Sequence, residues 1–297
     1  EVNKAQRMEF IETHREQWPA AALCRVLHVS ESGYYKHERA RVKSYKYDDI
    51  LKKIYGLLRE DPENVNYGVR RIWLYLRNNL QCLLSYSTVL RICRENNLVI
   101  HYKRRPKSLT ESDPEAQKAD NLLQQDFTAE TPNQKWLTDI TEIPCKDAKL
   151  YLAPVLDCYD GSIRGYRMDT NMKAELCAEA FKRACHEDGA RGMILHSDRG
   201  SQFTSRVFRE TLAAYGATQS MSGTGRCYDN ARMESFFATL KKELIYQMDT
   251  PQMTTAEVRS AIYRYIAYYN LRRIYTPNDG WPPLVFRQMF YRTHEAA

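Results

Sequence analysis

The segment Trp136-Leu137-Thr138-Asp139-Ile140-Thr141-Glu142-Ile143 alternates between apolar and polar residues, which is the pattern of a strand with one buried face. Strand patterns follow directly at 150–156 and 162–168. Two more, at 192–197 and 217–220, alternate with helix patterns at 174–186 and 203–215, and a last helix pattern covers 231–246. Hairpin-like strands followed by alternating helices and strands predict a mixed α/β sheet with helices on both faces.

Upstream of the sheet region, two patterns have the spacing of a helix-turn-helix. The first covers 20–37, with Ser30 as the cap of its second helix. The second contains three helix patterns, at 48–58, 70–76 and 85–97. In the last of them, Arg91 and Arg94 face outward. Each unit is either a small structural helical core or a DNA-binding module, because helix-turn-helix geometry also occurs in proteins that never contact DNA.

Charge is distributed unevenly along the chain. The 297 residues carry 44 Lys and Arg against 37 Asp and Glu, a formal net charge of +7. Residues 1–110 hold 21 basic and 12 acidic residues, a net +9, whereas residues 111–297 hold 23 basic and 25 acidic residues, a net −2. A cationic helical region favours a polyanionic partner, most often nucleic acid, because neutralised phosphates release their counterions. A solvated charged face is the alternative explanation.

The patterns divide the chain into five segments. After position 101 the periodicity gives way to a basic and then polar stretch, whose basic head either follows a phosphate backbone or forms a solvated hinge. In the last segment, a helix pattern dense in Tyr and Arg either packs on the α/β region or rests on DNA. The predicted segments are a helix-turn-helix region at 1–42, a second helix-turn-helix DNA-binding domain at 43–103, a linker at 104–125, the α/β domain at 126–247 and a helical tail at 248–297.

Composition excludes several classes of protein. A hydrophobic fraction of 43% is typical of a folded globular chain. No run approaches the roughly 18 apolar residues of a membrane span, and the first residues lack the layout of a secretory signal, so we expect a cytosolic protein. The eight cysteines never form Cys-x-x-Cys, which argues against a zinc finger and favours reduced, mostly buried thiols. Because the first residue is not Met, we expect the downstream part of a longer polypeptide.

Three carboxylates occupy positions where sites on open α/β sheets gather. Asp139 interrupts an apolar strand, Asp198 follows a buried strand, and Glu234 lies one turn into a helix whose start Asp229 and Asn230 are predicted to cap. Such carboxylates are costly unless they are compensated, and hard oxygen ligands suit Mg²⁺ or Mn²⁺. Two such ions about 3.5–4 Å apart promote in-line displacement at a phosphodiester. For any one of the three, a helix cap or surface salt bridge is the alternative.

The spacing of these carboxylates and the motifs around them resemble a known family. Between Asp139 and Asp198 lie 58 residues, and between Asp198 and Glu234 lie 35. The chain resembles the DDE transposases of the retroviral-integrase superfamily, specifically the catalytic OrfB part of IS3-family insertion-sequence transposases. The matching motifs are Trp-Leu-Thr-Asp-Ile-Thr (136–141), Tyr-Leu-Ala-Pro-Val-Leu-Asp (151–157), His-Ser-Asp-Arg-Gly-Ser-Gln-Phe (196–203), Asp-Asn-Ala-Arg-Met-Glu-Ser-Phe-Phe-Ala-Thr-Leu-Lys-Lys-Glu (229–243) and Tyr-Tyr-Asn-Leu-Arg-Arg (268–273).

This resemblance implies an RNase H-like catalytic domain over 126–247, preceded by all-α helix-turn-helix domains and followed by a helical tail. It also implies that Asp139, Asp198 and Glu234 are catalytic and hold two Mg²⁺ or Mn²⁺ ions. Lys241, two turns after Glu234 on the same helix face, matches a basic position of the family that contacts DNA. Further DNA contacts are predicted for Asn230, Arg226, Arg70, Arg71, Arg91, Arg94, Lys103, Arg104, Arg105 and Lys107.

The implied activity is DNA transposition: binding of terminal inverted repeats, metal-dependent 3′-end cleavage and strand transfer to duplex DNA, by a copy-out, paste-in route. The implied partners are transposon-end and target DNA, a second copy of the chain or more, and an OrfA segment, fused or separate. The implied setting is the bacterial cytoplasm and nucleoid, without membrane association. The alternatives are a non-catalytic DNA-binding regulator of transposition and a nuclease of RNA–DNA hybrids. Two helix-turn-helix units suit duplex DNA better than a hybrid.

Overall fold

The computed structural model describes residues 3–42, 45–100, 119–185, 191–223 and 227–295. The chain divides into two compact units between Gly56 and Leu57. This division falls inside a helix, and the boundaries of the five predicted segments remain predictions. No helix in the described ranges is long and apolar enough to cross a membrane.

The first unit contains three short helices, α1 (Lys4–His14), α2 (Ala20–Val26) and α3 (Glu31–Val42). Ile11, Cys24 and Tyr34 form the centre of its small core. The Ser30 hydroxyl accepts a hydrogen bond from the backbone N–H of Gly33 at 3.2 Å, which caps α3 as the sequence predicted. The helix-turn-helix expected at 20–37 is thus present as α2 and α3.

A second helical module follows. It comprises α4 (Asp48–Glu60), a 3₁₀ turn (Pro62–Asn66), α5 (Val69–Leu80) and α6 (Tyr86–Glu95). The Ser85 side chain accepts from the backbone N–H of Thr88 and caps α6. Helices α5 and α6 pack on one another, and the three helices occur where the sequence predicted them. The buried residues of the module include Leu57, Ile72, Leu76, Val89 and Cys93.

The centre of the second unit is a mixed sheet. Its long central strand pairs antiparallel with three others, and two short strands extend the sheet in parallel. The six strands in the described residues are β1 (Lys135–Thr138), β2 (Thr141–Pro144), β3 (Lys149–Asp157), β4 (Ile163–Asp169), β5 (Ile194–Ser197) and β6 (Thr218–Met221).

The strand predicted over 136–143 is interrupted in its middle. β1 and β2 both pair antiparallel with β3 in one continuous register, with Thr138 opposite Val155 and Thr141 opposite Leu152. Since β4 occupies the other edge of β3, β1 and β2 follow one another along a single edge. At the break, the register places Asp139 opposite Pro154, which has no N–H for the ladder, and the Thr138 hydroxyl donates to the Pro154 carbonyl at 2.9 Å.

Helices cover both faces of the sheet, as predicted. Trp136, Val155 and Leu195 pack into a cluster with α7 and α9, while the alternate residues Leu137 and Leu152 are buried on the other face, where α10 contacts β1 and α11 contacts β4. The single helix predicted over 203–215 is two helices, because the Ser205 side chain caps the start of the second one. The helices are α7 (Ala174–Ala184), α8 (Ser201–Thr204), α9 (Arg206–Ala214), α10 (Ala231–Glu243), α11 (Thr255–Leu271) and α12 (Pro283–Glu295).

A buried ionic cluster attaches α12 to the sheet. Arg287 of α12 donates to the carboxylates of Asp157 and Asp160, both 0% exposed. Asp157 also accepts from the indole N–H of Trp136 at 3.1 Å and from the backbone N–H of Asn133 at 2.9 Å. The two carboxylates are therefore satisfied only while α12 is docked, because a buried charge without a partner is strongly unfavourable.

We predict that Arg287→Ala lowers the free energy of unfolding by about 3–5 kcal/mol, since it leaves Asp157 and Asp160 buried without a cation. Arg292→Ala is the matched control, because it removes the same charge from an exposed position of the same helix. We expect the control to change stability by no more than about 0.5 kcal/mol. Denaturant unfolding followed by circular dichroism measures both. Equal losses in the two variants would contradict the role assigned to the cluster.

Candidate active site

The two aspartates predicted to be catalytic follow neighbouring parallel strands. β1 and β5 pair in parallel with Leu137 opposite His196. Asp139 lies two residues beyond Leu137, and Asp198 lies two residues beyond His196. The register therefore carries both carboxylates to the same edge of the sheet, at the carboxyl ends of adjacent strands. Ligands of open α/β sheets bind at such an edge.

The third carboxylate is brought to this edge by α10. The side-chain amide of Asn230, immediately before the helix, donates to the backbone carbonyl of Thr138 at 3.2 Å. This bond fixes the start of α10 beside the end of β1, one residue from Asp139. Glu234 occupies the first turn of the helix and is exposed. A carboxylate there is stabilised by the helix dipole.

The predicted capping of α10 by Asp229 and Asn230 is wrong. No side chain caps the helix. Asp229 is buried and accepts instead from Asn121, Gln125 and the backbone N–H of Gly223, at 2.8–3.1 Å. It ties Gly223, two residues after β6, to the segment that precedes β1, whereas the sequence indicated only a local role.

The four predicted side chains of the site are electrostatically coupled. Burial raises the pKa of Asp139 to about 7, and the negative charges of Asp198 and Glu234 add to this effect. Lys241 acts in the opposite direction, so its ammonium group also lies near Asp139. Asp198 is exposed at the surface, but the protein atoms around its carboxylate displace part of the water and raise its pKa, against a hydrogen bond of 3.0 Å from the backbone N–H of Gly200. The site is thus a crowded anionic cluster with too little positive charge.

The donor set fits a divalent cation, but the side chains are not gathered around one. The three carboxylates are hard oxygen ligands of the kind Mg²⁺ prefers. Beside them, the side-chain oxygen of Asn230 is buried without a hydrogen-bond partner. Within the described ranges, however, no three His, Cys, Asp or Glu side chains converge closely enough to hold a metal ion. Coordination by all three carboxylates therefore requires their side chains to move closer together.

Comparison with known proteins places the chain in a family. Models of the integrase core domain match residues 129–227 and 215–276, and a model of an HTH-like domain matches residues 46–106. Transposase InsF of insertion sequence IS3A from Escherichia coli (strain K12) is 31% identical over 287 residues, which is 93% of this chain and 96% of the relative. The protein InsK of insertion sequence element IS150 from the same strain is 34% identical, over 96% of this chain and 99% of the relative.

The chain belongs to the IS3/IS150 family of insertion-sequence transposases. The transposase of insertion sequence element IS904 from Lactococcus lactis is 40% identical over 63% of this chain and 71% of its own length. Among solved structures, the HTLV-2 integrase catalytic core domain in complex with magnesium aligns with 54% of this chain and 99% of its own, at 20% identity and a TM-score of 0.42. Membership of this family assigns the chain to DNA transposition and identifies its α/β domain as an RNase H-like integrase core.

In this transposase, His196 supports the site without facing a substrate. The ring is buried at the end of β5, and its two nitrogens lie 2.8 Å and 3.1 Å from the hydroxyls of Ser220 and Ser222. Burial lowers the pKa of His196 to about 4, so the ring is neutral at pH 7. It ties β5 to β6 immediately before Asp198. The sequence contained one signal of this role, a histidine inside an otherwise apolar buried strand.

The far end of the transposase's α10 is held by a buried carboxylate that the sequence did not single out. Glu243 accepts two hydrogen bonds of 2.8 Å from the Arg273 guanidinium and one of 2.8 Å from the Tyr265 hydroxyl. Arg71 of α5 forms an ion pair with it at 2.9 Å. Burial acts to raise the pKa of Glu243, but the bonds and charges of Arg273 and Arg71 hold it below its usual value. Glu243 therefore joins α10 to both the tail and the second helical module.

The predicted DNA contacts of the transposase fall into three groups. Arg70, Arg91 and Arg94 are exposed and Lys241 is half-buried, so these four remain accessible. Two others have structural partners: Arg71 pairs with Glu243, and Asn230 is 4% exposed and bonded to Thr138, so we leave both out of the proposed DNA surface. The remaining predictions, which lie outside the described residues, are Lys103, Arg104, Arg105, Lys107 and Arg226.

The tyrosine-rich tail helix was predicted either to pack on the α/β region or to rest on DNA, and the burial of its tyrosines favours packing. Tyr265, Tyr268 and Tyr269 are buried against the rest of the second unit, and the Tyr268 hydroxyl donates to the side chain of Asn64 at 2.9 Å. Tyr263 is 65% exposed. Packing therefore accounts for most of these tyrosines.

We predict that Glu243→Gln lowers the free energy of unfolding at pH 7 by about 3–5 kcal/mol, because Arg273 is left buried without its counter-charge. The control is Glu210→Gln, which breaks an exposed pair with Arg206 worth at most about 1 kcal/mol. The pKa of Glu243 is depressed in the folded state. Its stabilisation is therefore present above the ordinary glutamate pKa of 4.5, which applies to the unfolded chain, and is lost as the pH falls through the lower folded value. Denaturant unfolding between pH 7 and 3 should show the difference from wild type shrinking only in the acid range. A difference independent of pH would contradict this assignment.

Proposed function

We propose that the chain is a DDE transposase that cleaves the 3′ ends of its insertion sequence and transfers them to duplex DNA. The observation that supports the proposal is the position of the segments that bear three carboxylates, all of which border one edge of the sheet. The β1–β5 register supplies Asp139 and Asp198, and the bond from Asn230 to Thr138 supplies the helix that bears Glu234. The raised pKa of Asp139 supports their proximity.

In this proposal Asp139, Asp198 and Glu234 hold two divalent cations. Bound Mg²⁺ or Mn²⁺ ions would supply activation of the attacking oxygen and neutralisation of the leaving oxygen during in-line displacement. Lys241 binds a DNA phosphate beside the carboxylates and offsets part of their charge. His196 and Asn230 keep the strand ends and the helix start in place, so that the side chains are positioned before DNA arrives.

The reaction has two displacement steps. In the first, a water oxygen forms a bond to phosphorus at the transposon end, and the bond from phosphorus to the 3′ oxygen breaks to leave a 3′-OH. In the second, that 3′-OH forms a bond to another phosphorus, and a 3′ oxygen of the attacked strand leaves. Neither step needs a covalent bond between protein and DNA. The carboxylates are accessible to a strand at the sheet edge, since Asp198 and Glu234 are both exposed.

We further propose that α6 contacts the terminal inverted repeat through Arg91 and Arg94. The HTH-like match over 46–106 and the exposure of these side chains support the assignment. Assembly as a homodimer or larger oligomer on paired ends, an OrfA segment as partner and action at the bacterial nucleoid belong to the same proposal. So does the five-segment division, with catalysis assigned to 126–247.

We predict that Asp198→Asn abolishes cleavage and strand transfer, by on the order of 1,000-fold or more, because metal ions supply several kcal/mol of transition-state stabilisation. The measurement is strand transfer of labelled terminal-repeat DNA with Mg²⁺. The control, Asp249→Asn, changes an exposed carboxylate that caps nothing and should retain full activity. An inactive wild type that still binds the repeat would favour the regulator instead.

We predict that Mn²⁺ stabilises the wild type against thermal unfolding and does not stabilise Asp139→Asn. At a metal concentration 100 times the Kd, binding to the folded state contributes about 2.7 kcal/mol. Without metal, the variant should be at least as stable as the wild type, since one of the crowded carboxylates is gone. Asp249→Asn again serves as the control and should keep the wild-type shift. A full Mn²⁺ shift in Asp139→Asn would show that Asp139 is not a ligand.

A further inference from the structure

A groove runs between the start of α5 and one side of α10. Its volume is about 490 Å³. One wall consists of the residues around Gly68, at the start of α5. The other wall consists of residues of α10 that come after Glu234 in the sequence. The lining residues used below are Gly68, Arg70, Arg71, Ser235, Thr239 and Lys242.

The groove begins next to the candidate active site. Ser235 directly follows Glu234, and Lys242 lies eight residues after Glu234 on α10. At 1.5 Å per residue, the groove extends roughly 12 Å along the helix from the carboxylate. This length equals the rise of three to four nucleotides at 3.4 Å per nucleotide of one strand. A DNA strand that leaves the carboxylates along α10 therefore enters the groove.

The charge of the groove suits a polyanion. Arg70 and Lys242 line it, together with Arg71 and Glu243, whose charges are already used in the pair that these two residues form and in the pair of Glu243 with Arg273. Arg70 is exposed. Burial lowers the pKa of Lys242, and the neighbouring Arg71 contributes in the same direction. An anion in the groove relieves both effects, because it replaces lost solvation and separates the like charges.

The uncharged part of the lining also favours phosphate. Ser235 and Thr239 offer hydroxyl donors on α10. On the opposite wall, no side chain caps the first turn of α5, and a Cβ atom at Gly68 would meet nothing within 4 Å. The wall is therefore open at Gly68. Phosphate contacts in protein–DNA complexes use this combination of Arg, Lys and hydroxyl donors.

We propose that this groove binds the sugar-phosphate backbone of the transposon-end strand next to the cleavage site. The inference rests on the proposed function, since its occupant is the DNA of that reaction. It adds a continuous track in which α5 of the helical module and α10 of the catalytic domain hold the same strand. Lys242, Ser235 and Thr239 then serve DNA binding, and the helical module sets the position of the scissile phosphate as well as binding the repeat.

The first test is equilibrium binding of a terminal-repeat duplex by the full chain in EDTA, over a series of salt concentrations. The double variant Arg70→Ala with Lys242→Ala should reduce the magnitude of the slope of log K against log salt by about 1.8, since each phosphate contact contributes about 0.9. At 0.1 M salt this corresponds to a loss of roughly 60-fold in affinity. The control is Lys182→Ala with Arg183→Ala, which removes two exposed charges from α7 on the opposite face of the sheet. A groove variant that binds like this control would overturn the inference.

The second test separates binding from folding. Gly68→Asp supplies α5 with a good N-cap, so its thermal stability should equal or exceed that of the wild type. The same carboxylate lies where the groove would receive phosphate, so affinity for the duplex should fall at least tenfold. Unchanged affinity in this folded variant would refute the proposal.

The two tests distinguish the groove from the proposed catalysis. If the groove variants lose duplex binding and no form of the protein transfers a strand, the groove binds DNA but the proposed transposase reaction is wrong. If the groove variants bind and transfer DNA as the wild type does, the proposed reaction is supported and DNA binding in the groove is refuted. Inorganic phosphate at matched ionic strength should not displace the duplex. Displacement by phosphate would show a free-anion site and would also overturn the assignment to DNA.

Discussion

The parallel pairing of β1 with β5 is the constraint on which the site depends. Parallel neighbours end at the same edge of a sheet, so a residue just beyond each strand is held beside its counterpart whatever its charge. Asp139 and Asp198 occupy these two positions. Their mutual repulsion is overcome by the buried apolar residues of the same strands, Trp136 and Leu195, which pack under α7. The core thus stabilises an anionic cluster that is unfavourable by itself, as expected of a functional site.

The third carboxylate depends on how α10 is fixed at both ends. At its start, Asn230 bonds to the carbonyl of Thr138. At its end, Glu243 is surrounded by Arg273, Tyr265 and Arg71. Glu234 lies on the exposed side between these anchors, so its place is set by residues that never contact a substrate. Because Arg71 belongs to α5, a displacement of the helical module reaches the catalytic helix through a buried ion pair.

Sequence patterns predicted the elements of this fold well, because periodicity reports which faces are buried. They placed Asp198 after a strand but Asp139 inside one, and it was the family resemblance that implied a common site for the two. They failed where a side chain forms a specific bond. At the break between β1 and β2, the Thr138 hydroxyl donates to the carbonyl of Pro154, which has no N–H of its own, and Asn230 bonds to a strand instead of capping its helix. Glu243 carries no local signal, because its partner Arg273 is 30 residues away and Arg71 lies in another module.

The ion pairs inside the structure show that part of the positive charge of the N-terminal region has a structural role. A net +9 over residues 1–110 suggested a uniformly cationic module. Some of that charge is used inside the molecule: Arg71 pairs with Glu243 and Arg77 with Asp279, which attaches the module to the α/β domain and its tail. Exposed cations such as Arg70 and Arg94 lie on the helices that these pairs hold. Internal ion pairs therefore hold α5 against α10 and the tail, and Arg70 stays exposed in the groove between α5 and α10.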